Sequence, residues 1–229
     1  MAIIKNINIE LEVKYTQQIA IGNMNVYFYW PKNFTFQSGD WIDLSVQGKQ
    51  LKGGITYSLS SSPTESELMI SIKIGISEFK QHLQSLQPGN KLYITQYGND
   101  YNFYLKDNRT SVCIAGGIGI APFRSMLKEM IDTNNRNEVQ LIYFNKDEAF
   151  LFQEEVDEWR KVLKLDVQYI QTDMLKRKDR VKVFKETMRK DGDLYFIAGP
   201  EGMVESTEHI LLDLGINLKN IRVDSFGGY

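Results

Sequence analysis

The sequence predicts a two-domain β + α/β protein, an antiparallel β-barrel followed by a parallel-sheet α/β domain. Three observations carry that prediction. Before about residue 104 the chain is a series of short runs rich in Ile, Val, Tyr, Phe and Trp, with little helix between them. Short strands separated by turn residues are the pattern of a small antiparallel barrel. After about residue 110, apolar strand runs alternate with stretches whose apolar residues recur at helical spacing, the pattern of a parallel sheet with helices on both faces. Between the two lies the polar stretch Lys106-Asp-Asn-Arg-Thr110, which reads as a linker and divides the chain into domains at 1–105 and 110–229.

The first half offers strands at Ile3–Val13, Met24–Trp30, Trp41–Val46, Ile55–Ser60, Leu68–Ile74 and Lys91–Gln96. Ser38-Gly-Asp40, Gly53-Gly54, Ser62-Pro63 and Pro88-Gly89 are the turn signals between them. One helical stretch, about Glu78–Leu86, interrupts the series. In the second half, Val112–Ala115 is a short apolar strand. Phe123, Met126, Leu127, Met130 and Ile131 then mark a helix. Strands follow at Val139–Phe144, Asp166–Ile170, Leu194–Ala198 and Ile221–Val223. Helices near Phe152–Val162, Val181–Arg189 and Met203–Leu214 separate them. No internal repeat or low-complexity segment is present.

Composition narrows the function classes. The chain has 229 residues and a formal net charge of -2, so no global charge draws it to nucleic acid or to an anionic membrane. No window approaches the apolar length of a membrane-spanning helix. The start, Met1-Ala-Ile-Ile-Lys-Asn-Ile-Asn, alternates apolar and polar residues and reads as a first strand, not as a signal peptide. Cys113 is the sole cysteine, too few for an internal disulfide, an Fe–S cluster or a structural zinc site. The two histidines, His82 and His209, lie far apart in polar helical stretches and read as solvated helix surface. The expectation is a cytoplasmic protein with no metal site.

The most informative segment is Ala115-Gly-Gly-Ile-Gly-Ile-Ala-Pro122. It follows the first strand of the α/β half and opens its first helix. Glycine at such a turn permits positive φ and lets a phosphate approach the backbone. Pro122 suits the first helical position, where no N–H is needed. The helix N-terminus presents free N–H groups and partial positive charge to an anion. The context is that of a dinucleotide-phosphate site. A tight βα turn that binds nothing is the plainer alternative, and the run of glycines with the proline favours the site. Gly117-x-Gly119-x-x-Pro122 also places proline where the usual Rossmann fingerprint has its third glycine.

With that segment stand Tyr57-Ser-Leu-Ser-Ser-Ser-Pro63, Gln87-Pro-Gly89, Phe123-Arg-Ser-Met-Leu127, Ala198-Gly-Pro200 with Met203, and the tail Asp224-Ser-Phe-Gly-Gly-Tyr229. Together, in this order and over nearly the whole chain, they resemble the ferredoxin–NADP reductase superfamily of two-domain flavoproteins. The resemblance implies an N-terminal Greek-key barrel that binds FAD, or FMN, and a C-terminal domain that binds NADPH or NADH. It implies hydride transfer from NAD(P)H to flavin. Electrons then pass to a protein acceptor such as ferredoxin, flavodoxin or an oxygenase component. By the same resemblance Tyr57, Ser58, Leu59 and Ser60 lie at the flavin, with the Ser58 hydroxyl near the redox-active ring nitrogen. Ile72, Lys73 and Ile74 resemble the strand that lines it. Gly116, Gly117, Gly119 and Pro122 surround the nucleotide pyrophosphate, and Gly199 and Pro200 shape the turn under the nicotinamide ribose. Phe226 or Tyr229 covers the flavin ring as a lid that must move. Tyr101 or Phe103 stacks on adenine if the flavin is FAD.

Departures from the family pattern matter as much. The family has arginine two residues before the tyrosine, holding a flavin phosphate, and this chain has Ile55. Aligning Phe79-Lys-Gln-His-Leu83 with the helix that follows puts Lys80 near that phosphate as a partial replacement. Ala198 stands where cysteine is common, and Asp224 where glutamate is usual. Ser58 and Asp224 are the catalytic candidates, Asp224 as a proton relay or positioning group. In Tyr143-Phe-Asn-Lys-Asp-Glu148, Lys146 can pair with a ribose 2′-phosphate, while Asp147 or Glu148 can bond a free 2′-hydroxyl. Lys146 and Arg124 tilt the reading to NADPH. Two alternatives stay open, a reductase that releases free reduced flavin and a non-catalytic nucleotide-binding subunit.

Overall fold

A computed structural model describes residues 3–47, 51–52, 55–105 and 108–226, with backbone only for 3–6 and 177. The predicted Gly53-Gly54 turn, Lys106 and Asp107 of the linker, and Tyr229 lie outside the described residues. The chain divides into two compact units. Among the described residues, the first comprises those from Ile3 to Tyr104 together with Ala121–Glu129, and the second those from Leu105 to Ile120 and from Met130 to Phe226.

The first unit is a six-stranded antiparallel sheet. Its strands are β1 (Ile3–Ala20), β2 (Asn23–Tyr29), β3 (Trp41–Ser45), β4 (Thr56–Ser58), β5 (Glu67–Lys73) and β6 (Lys91–Asn99), in the order β4-β3-β6-β1-β2-β5. The order fits the Greek-key barrel expected from the sequence. The ladder itself is not closed: β4 and β5 are edges, joined by an isolated bridge between Leu59 and Ile70. Strand β1 runs seven residues past its expected end at Val13. Its pairing register shifts between Asn6 and Ile9, between Val13 and Tyr15, and between Gln18 and Ala20. Such bulges bend a strand without ending it, so one strand pairs with β6 in its first half and with β2 in its second. Alternate residues Leu11, Val13, Val26, Phe28, Ile42, Leu44, Leu68, Ile70, Leu92 and Ile94 are buried in one apolar cluster, as period-two strands with a single inward face require. Helix α1 (Glu78–Gln84) joins that core through Phe79 and Leu83, and Ser77 caps its N-terminus.

Buried polar groups fix the loops of this unit. The Asn99 side chain donates to Asp40 Oδ1 at 2.9 Å and to the Phe103 carbonyl at 3.2 Å, and it accepts from Phe103 N–H at 2.6 Å. Arg124 is 6% exposed. It forks onto Glu65 at 2.7 and 3.0 Å and donates to the Ser60 carbonyl at 2.9 Å. Ser125 Oγ donates to the Ser61 carbonyl at 2.6 Å. The 60–65 turn is thereby held on its main chain as well as through its side chains.

The second unit is a five-stranded parallel sheet of β7 (Ser111–Gly116), β8 (Val139–Asn145), β9 (Leu165–Gln171), β10 (Leu194–Pro200) and β11 (Ile221–Phe226), in the order β11-β10-β7-β8-β9. The helices between them are α2 (Ile120–Asp132), α3 (Gln153–Trp159), α4 (Arg177–Thr187) and α5 (Glu201–Asp213). Phe184 and Met188 at the end of α4, with Val204 and Leu211 of α5, pack on Val112, Ile114, Ile142, Ile197 and Ile221. Neighbouring strand residues Cys113, Leu141, Tyr143 and Phe196 are buried as well, which is why these strands read as continuous apolar runs.

Removing one partner of a buried ion pair leaves an uncompensated charge. Arg124→Ala is expected to lower the unfolding free energy by about 3–5 kcal/mol in urea titrations. The double substitution R124M/E65M should recover part of that loss. A double variant no more stable than Arg124→Ala would show that the pair's charge is not what the site needs.

Candidate functional site

Strand order in the second unit reverses beside β7, since the chain moves from β7 to β8 and β9 on one side and then places β10 on the other. In open α/β sheets the crevice outside the carboxyl ends of the strands at such a reversal is where ligands bind. The chain brings Gly116–Gly119, Ala198–Pro200, Asn145–Lys146 and Asp224–Phe226 to these ends. Asp224 pairs in register with Ala198, and Phe226 with Pro200. Both are half-buried.

The glycines there are needed for different reasons. Gly119 is buried, and a Cβ on it would lie 2.1 Å from the Ala198 carbonyl oxygen and 2.8 Å from Gly199 Cα. Glycine is required here for the close seating of the turn on β10. Gly117 has φ +55°, and a Cβ on it would meet only Asn145 Oδ1, at 4.0 Å. Its left-handed backbone favours glycine, and its open side is where an anion can approach. Gly116 and Gly199 back onto one another, with Pro200 and Met203 beside Gly116.

Pro122 does not open the helix, as its sequence position suggested. A 3-10 turn over Gly117–Gly119 comes first, α2 begins at Ile120, and Pro122 is its third residue. First-turn N–H groups have no obligatory intrahelical partner, so proline fits there too. No acidic residue lies in the first turn of α2, and its partial positive charge is not neutralised from within the helix.

A residue with no sequence signal holds this turn. Tyr143, fully buried on β8, donates through its hydroxyl to the Gly117 carbonyl at 3.0 Å and accepts from Leu151 N–H at 3.2 Å. Burial pushes its hydroxyl pKa up from the ordinary tyrosine value, which keeps it a neutral donor. Within the intervening loop Asn145 Nδ2 donates to Asp147 Oδ1 at 3.0 Å, which also accepts from Ala149 N–H at 3.0 Å. Asp147 is thus engaged by its own loop. Lys146 is exposed, and its side chain makes no hydrogen bond or ion pair among the described residues.

In the first unit, β4 presents Tyr57 half-buried and stacked with Phe79 at 6.3 Å, next to Ser58, which is 4% exposed. Leu59 and Ser60 differ from expectation. Both are fully buried. Leu59 N–H is spent on Asp40, Ser60 N–H on Met69, the Ser60 hydroxyl on Ser71 and the Ser60 carbonyl on Arg124. They position Tyr57 and Ser58 and have little left to offer a ligand. Ile72 is in the core, while Lys73 and Ile74 are exposed. Lys80 sits in the third position of α1, one turn inside its Ser77 cap. Its side chain crosses Gly75, so that a Cβ there would lie 2.7 Å from Lys80 Cδ and 3.7 Å from Nζ. Burial, and then the nearby Lys73 ammonium, hold Lys80 below the usual lysine range. The Lys73 and Lys80 ammoniums are therefore close enough to act on one another. Ile55 packs against the apolar cluster. Two further expectations are corrected. Arg124 is committed to Glu65 and is not available to a 2′-phosphate. Phe103, 1% exposed, packs on Phe123 at 5.7 Å and cannot stack on an adenine, whereas Tyr101 is 58% exposed.

Comparison with known proteins agrees with this geometry. Residues 113–209 match the family model for the oxidoreductase NAD-binding domain. The gamma subunit of sulfhydrogenase 2 from Pyrococcus furiosus is 31% identical over 127 residues, 55% of this chain and 43% of that protein. Flavohemoprotein A from Dictyostelium discoideum is 26% identical over 210 residues, 84% of this chain and 53% of that protein. The chain thus spans about half the length of these relatives. A crystal structure of a ferredoxin NADP+ reductase from Neisseria gonorrhoeae with bound FAD and NADP has a TM-score of 0.77 at 17% identity, covering 94% of this chain and 97% of that one. At that identity the likeness is one of fold.

The two glycines separate experimentally. Gly119→Ala must push two main chains apart and is expected to cost roughly 2–3 kcal/mol or more of stability. Gly117→Ala meets open space and should cost about 1–2 kcal/mol, from its left-handed backbone alone. Equal losses in denaturant unfolding would show that Gly119 is not seated as described.

Proposed function

We propose that this chain is a member of the ferredoxin–NADP reductase superfamily and an NAD(P)H-dependent flavoprotein reductase, a reading supported by the match to the NAD-binding domain and by the shared fold. It takes hydride from NADPH or NADH to FAD, or FMN, and passes electrons to a protein acceptor such as ferredoxin, flavodoxin or an oxygenase component, in the cytoplasm. The flavin half is residues 1–105 and the nucleotide half 110–229. The observation that carries the reading is the open, left-handed Gly117 at the sheet's reversal point, on a turn seated against β10 and leading into a helix without first-turn acids.

Gly116, Gly117 and Gly119 hold the nucleotide pyrophosphate through main-chain N–H groups and the α2 N-terminus, with Pro122 setting the first turn. Lys146, exposed and uncommitted, pairs with the ribose 2′-phosphate, while Asp147 is occupied within its loop. Both points favour NADPH. Gly199 and Pro200 form the floor under the nicotinamide ribose, Asp224 positions or relays a proton at the end of β11, and Phe226 covers the nicotinamide entry. Tyr57 and Ser58 face the flavin ring, Ser58 donating its hydroxyl. Lys80 partly replaces, at the flavin phosphate, the arginine whose place Ile55 takes, with Ile72, Lys73 and Ile74 on the strand that lines the flavin. When bound, the flavin supplies the centre that accepts hydride and releases electrons onward.

Replacement of that arginine by an apolar residue also favours a second reading, in which flavin is held loosely and leaves after reduction. The purified protein separates the two. A yellow protein that bleaches on anaerobic addition of NADPH supports the first, and a colourless one that consumes NADPH only with added flavin supports the second. A protein with no flavin and no turnover rejects both.

Loss of one charge-assisted phosphate contact weakens binding by roughly tenfold or more. Lys80→Ala is expected to raise the flavin Kd by that amount. Lys91→Ala, which removes an exposed pair with Glu10 at 2.7 Å, should change it by less than about twofold. Equal flavin affinities in the two variants would sink the role given to Lys80.

A further inference from the structure

We propose that the Tyr143 hydroxyl is a positioning group that sets the nucleotide site's geometry by tying together the two loops that contact opposite ends of the adenosine diphosphate portion. The inference rests on the nucleotide reading above. Its basis is the hydroxyl's two partners. Its proton goes to the carbonyl of Gly117, the one open left-handed residue of the glycine turn, at 3.0 Å. Its lone pair takes the N–H of Leu151 at 3.2 Å, the residue that closes the loop bearing Lys146. Each partner is main chain. One side chain therefore fixes both the peptide plane at Gly117 and the end of the 145–151 loop.

The rest of the loop is built to be held from that point. Asn145 Nδ2 reaches the carbonyls of Asp147 and Ala149 at 3.2 and 3.1 Å, and Asn145 and Lys146 carbonyls accept from Thr172 and Asp173 N–H groups. The Tyr143 ring is held by Phe150 at 5.1 Å and Tyr169 at 6.3 Å, so the oxygen has one accessible position. Turning the Gly117 carbonyl toward Tyr143 fixes the peptide plane that carries the Ile118 N–H. A loosened turn would place donors for the pyrophosphate, and Lys146 for the 2′ position, at variable separation. A bound dinucleotide would then have to order both loops itself, at a cost in affinity.

Tyr143→Phe keeps the ring and removes only the hydroxyl. The test compares wild type and Tyr143→Phe for NADP+ and NAD+ affinity by calorimetry, and for flavin reduction by saturating NADPH in stopped flow. The expected result is a Kd for both nucleotides raised roughly three- to tenfold, the loss of about one hydrogen bond. The saturating rate should stay within about twofold, because nothing at the reacting atoms changes. A purely packing role for the ring would leave Kd untouched in Tyr143→Phe, and that result overturns the inference alone. A saturating rate that falls while Kd holds overturns it too. Wild-type protein that binds neither nucleotide overturns the functional reading and the inference with it. If Tyr143→Phe does not fold, wild type still decides the matter. Amide exchange at Leu151 should slow when NADP+ binds, and exchange that is unchanged counts against the proposal.

Discussion

The main chain of Gly119 lies against the end of β10 with no space for one further carbon. Much of the second unit follows from that contact. It lies where the paired strands β7 and β10 end, and there a Cβ on Gly199 would in turn lie 3.2 Å from the Gly116 carbonyl oxygen. It leaves the chain only a short path from strand to helix, taken as a 3-10 turn with Gly117 in the left-handed region. The turn's main chain is therefore crowded on one side and open on the other, and an anion-binding site needs that asymmetry. Packing and recognition are two faces of the same close approach. The glycines cannot be divided cleanly into structural and functional ones by type, only by what a Cβ would meet.

The first unit solves a different problem with polar atoms. Its sheet is open at β4 and β5, and the chain between them has to be held without a ladder. Arg124, Ser125 and Glu65 supply bonds to the 60–65 turn, while Ser60, Ser71 and Asn25 form a buried chain at 2.8 and 2.7 Å. Buried polar networks of this kind define one arrangement when every member is satisfied. The edge residues Tyr57 and Ser58 inherit their placement from it.

How far the sequence alone reached follows from what each feature depends on. Strand and helix positions were legible because each carries its own periodicity and its own turn residues. The glycine turn was legible because local backbone geometry demands those residues. Strand β1 beyond Val13 was not, since Lys14-Tyr-Thr-Gln-Gln18 has no apolar alternation and its pairing comes from bulges matched by a distant strand. Arg124 looked like a phosphate ligand because a basic residue after a glycine turn suggests one. Its partner Glu65 is 59 residues away, and only folding reveals that the charge is spent. Tyr143 read as one more apolar strand residue, since the meaning of its hydroxyl depends on two loops that meet it in space. Leu59 and Ser60 were overextended from Tyr57-Ser58 because the motif does not show that β4 ends at Ser58 and that the next polar groups are spent on Asp40, Met69, Ser71 and Arg124.

The composition of the first unit has a consequence for how the chain is made. Strand β1 begins at Ile3, and its partners in β6 run from Lys91 to Asn99. In a chain growing from its N-terminus the second half of β1 can pair with β2 at once, whereas the first half waits for β6 with that loop closure deferred. The unit also takes in Ala121–Glu129, including the guanidinium that neutralises Glu65. A nascent chain released from the ribosome only as far as the linker would hold Glu65 without the guanidinium of Arg124. The barrel half thus reaches its final arrangement only after Ala121–Glu129, at the start of the α/β half, has been made.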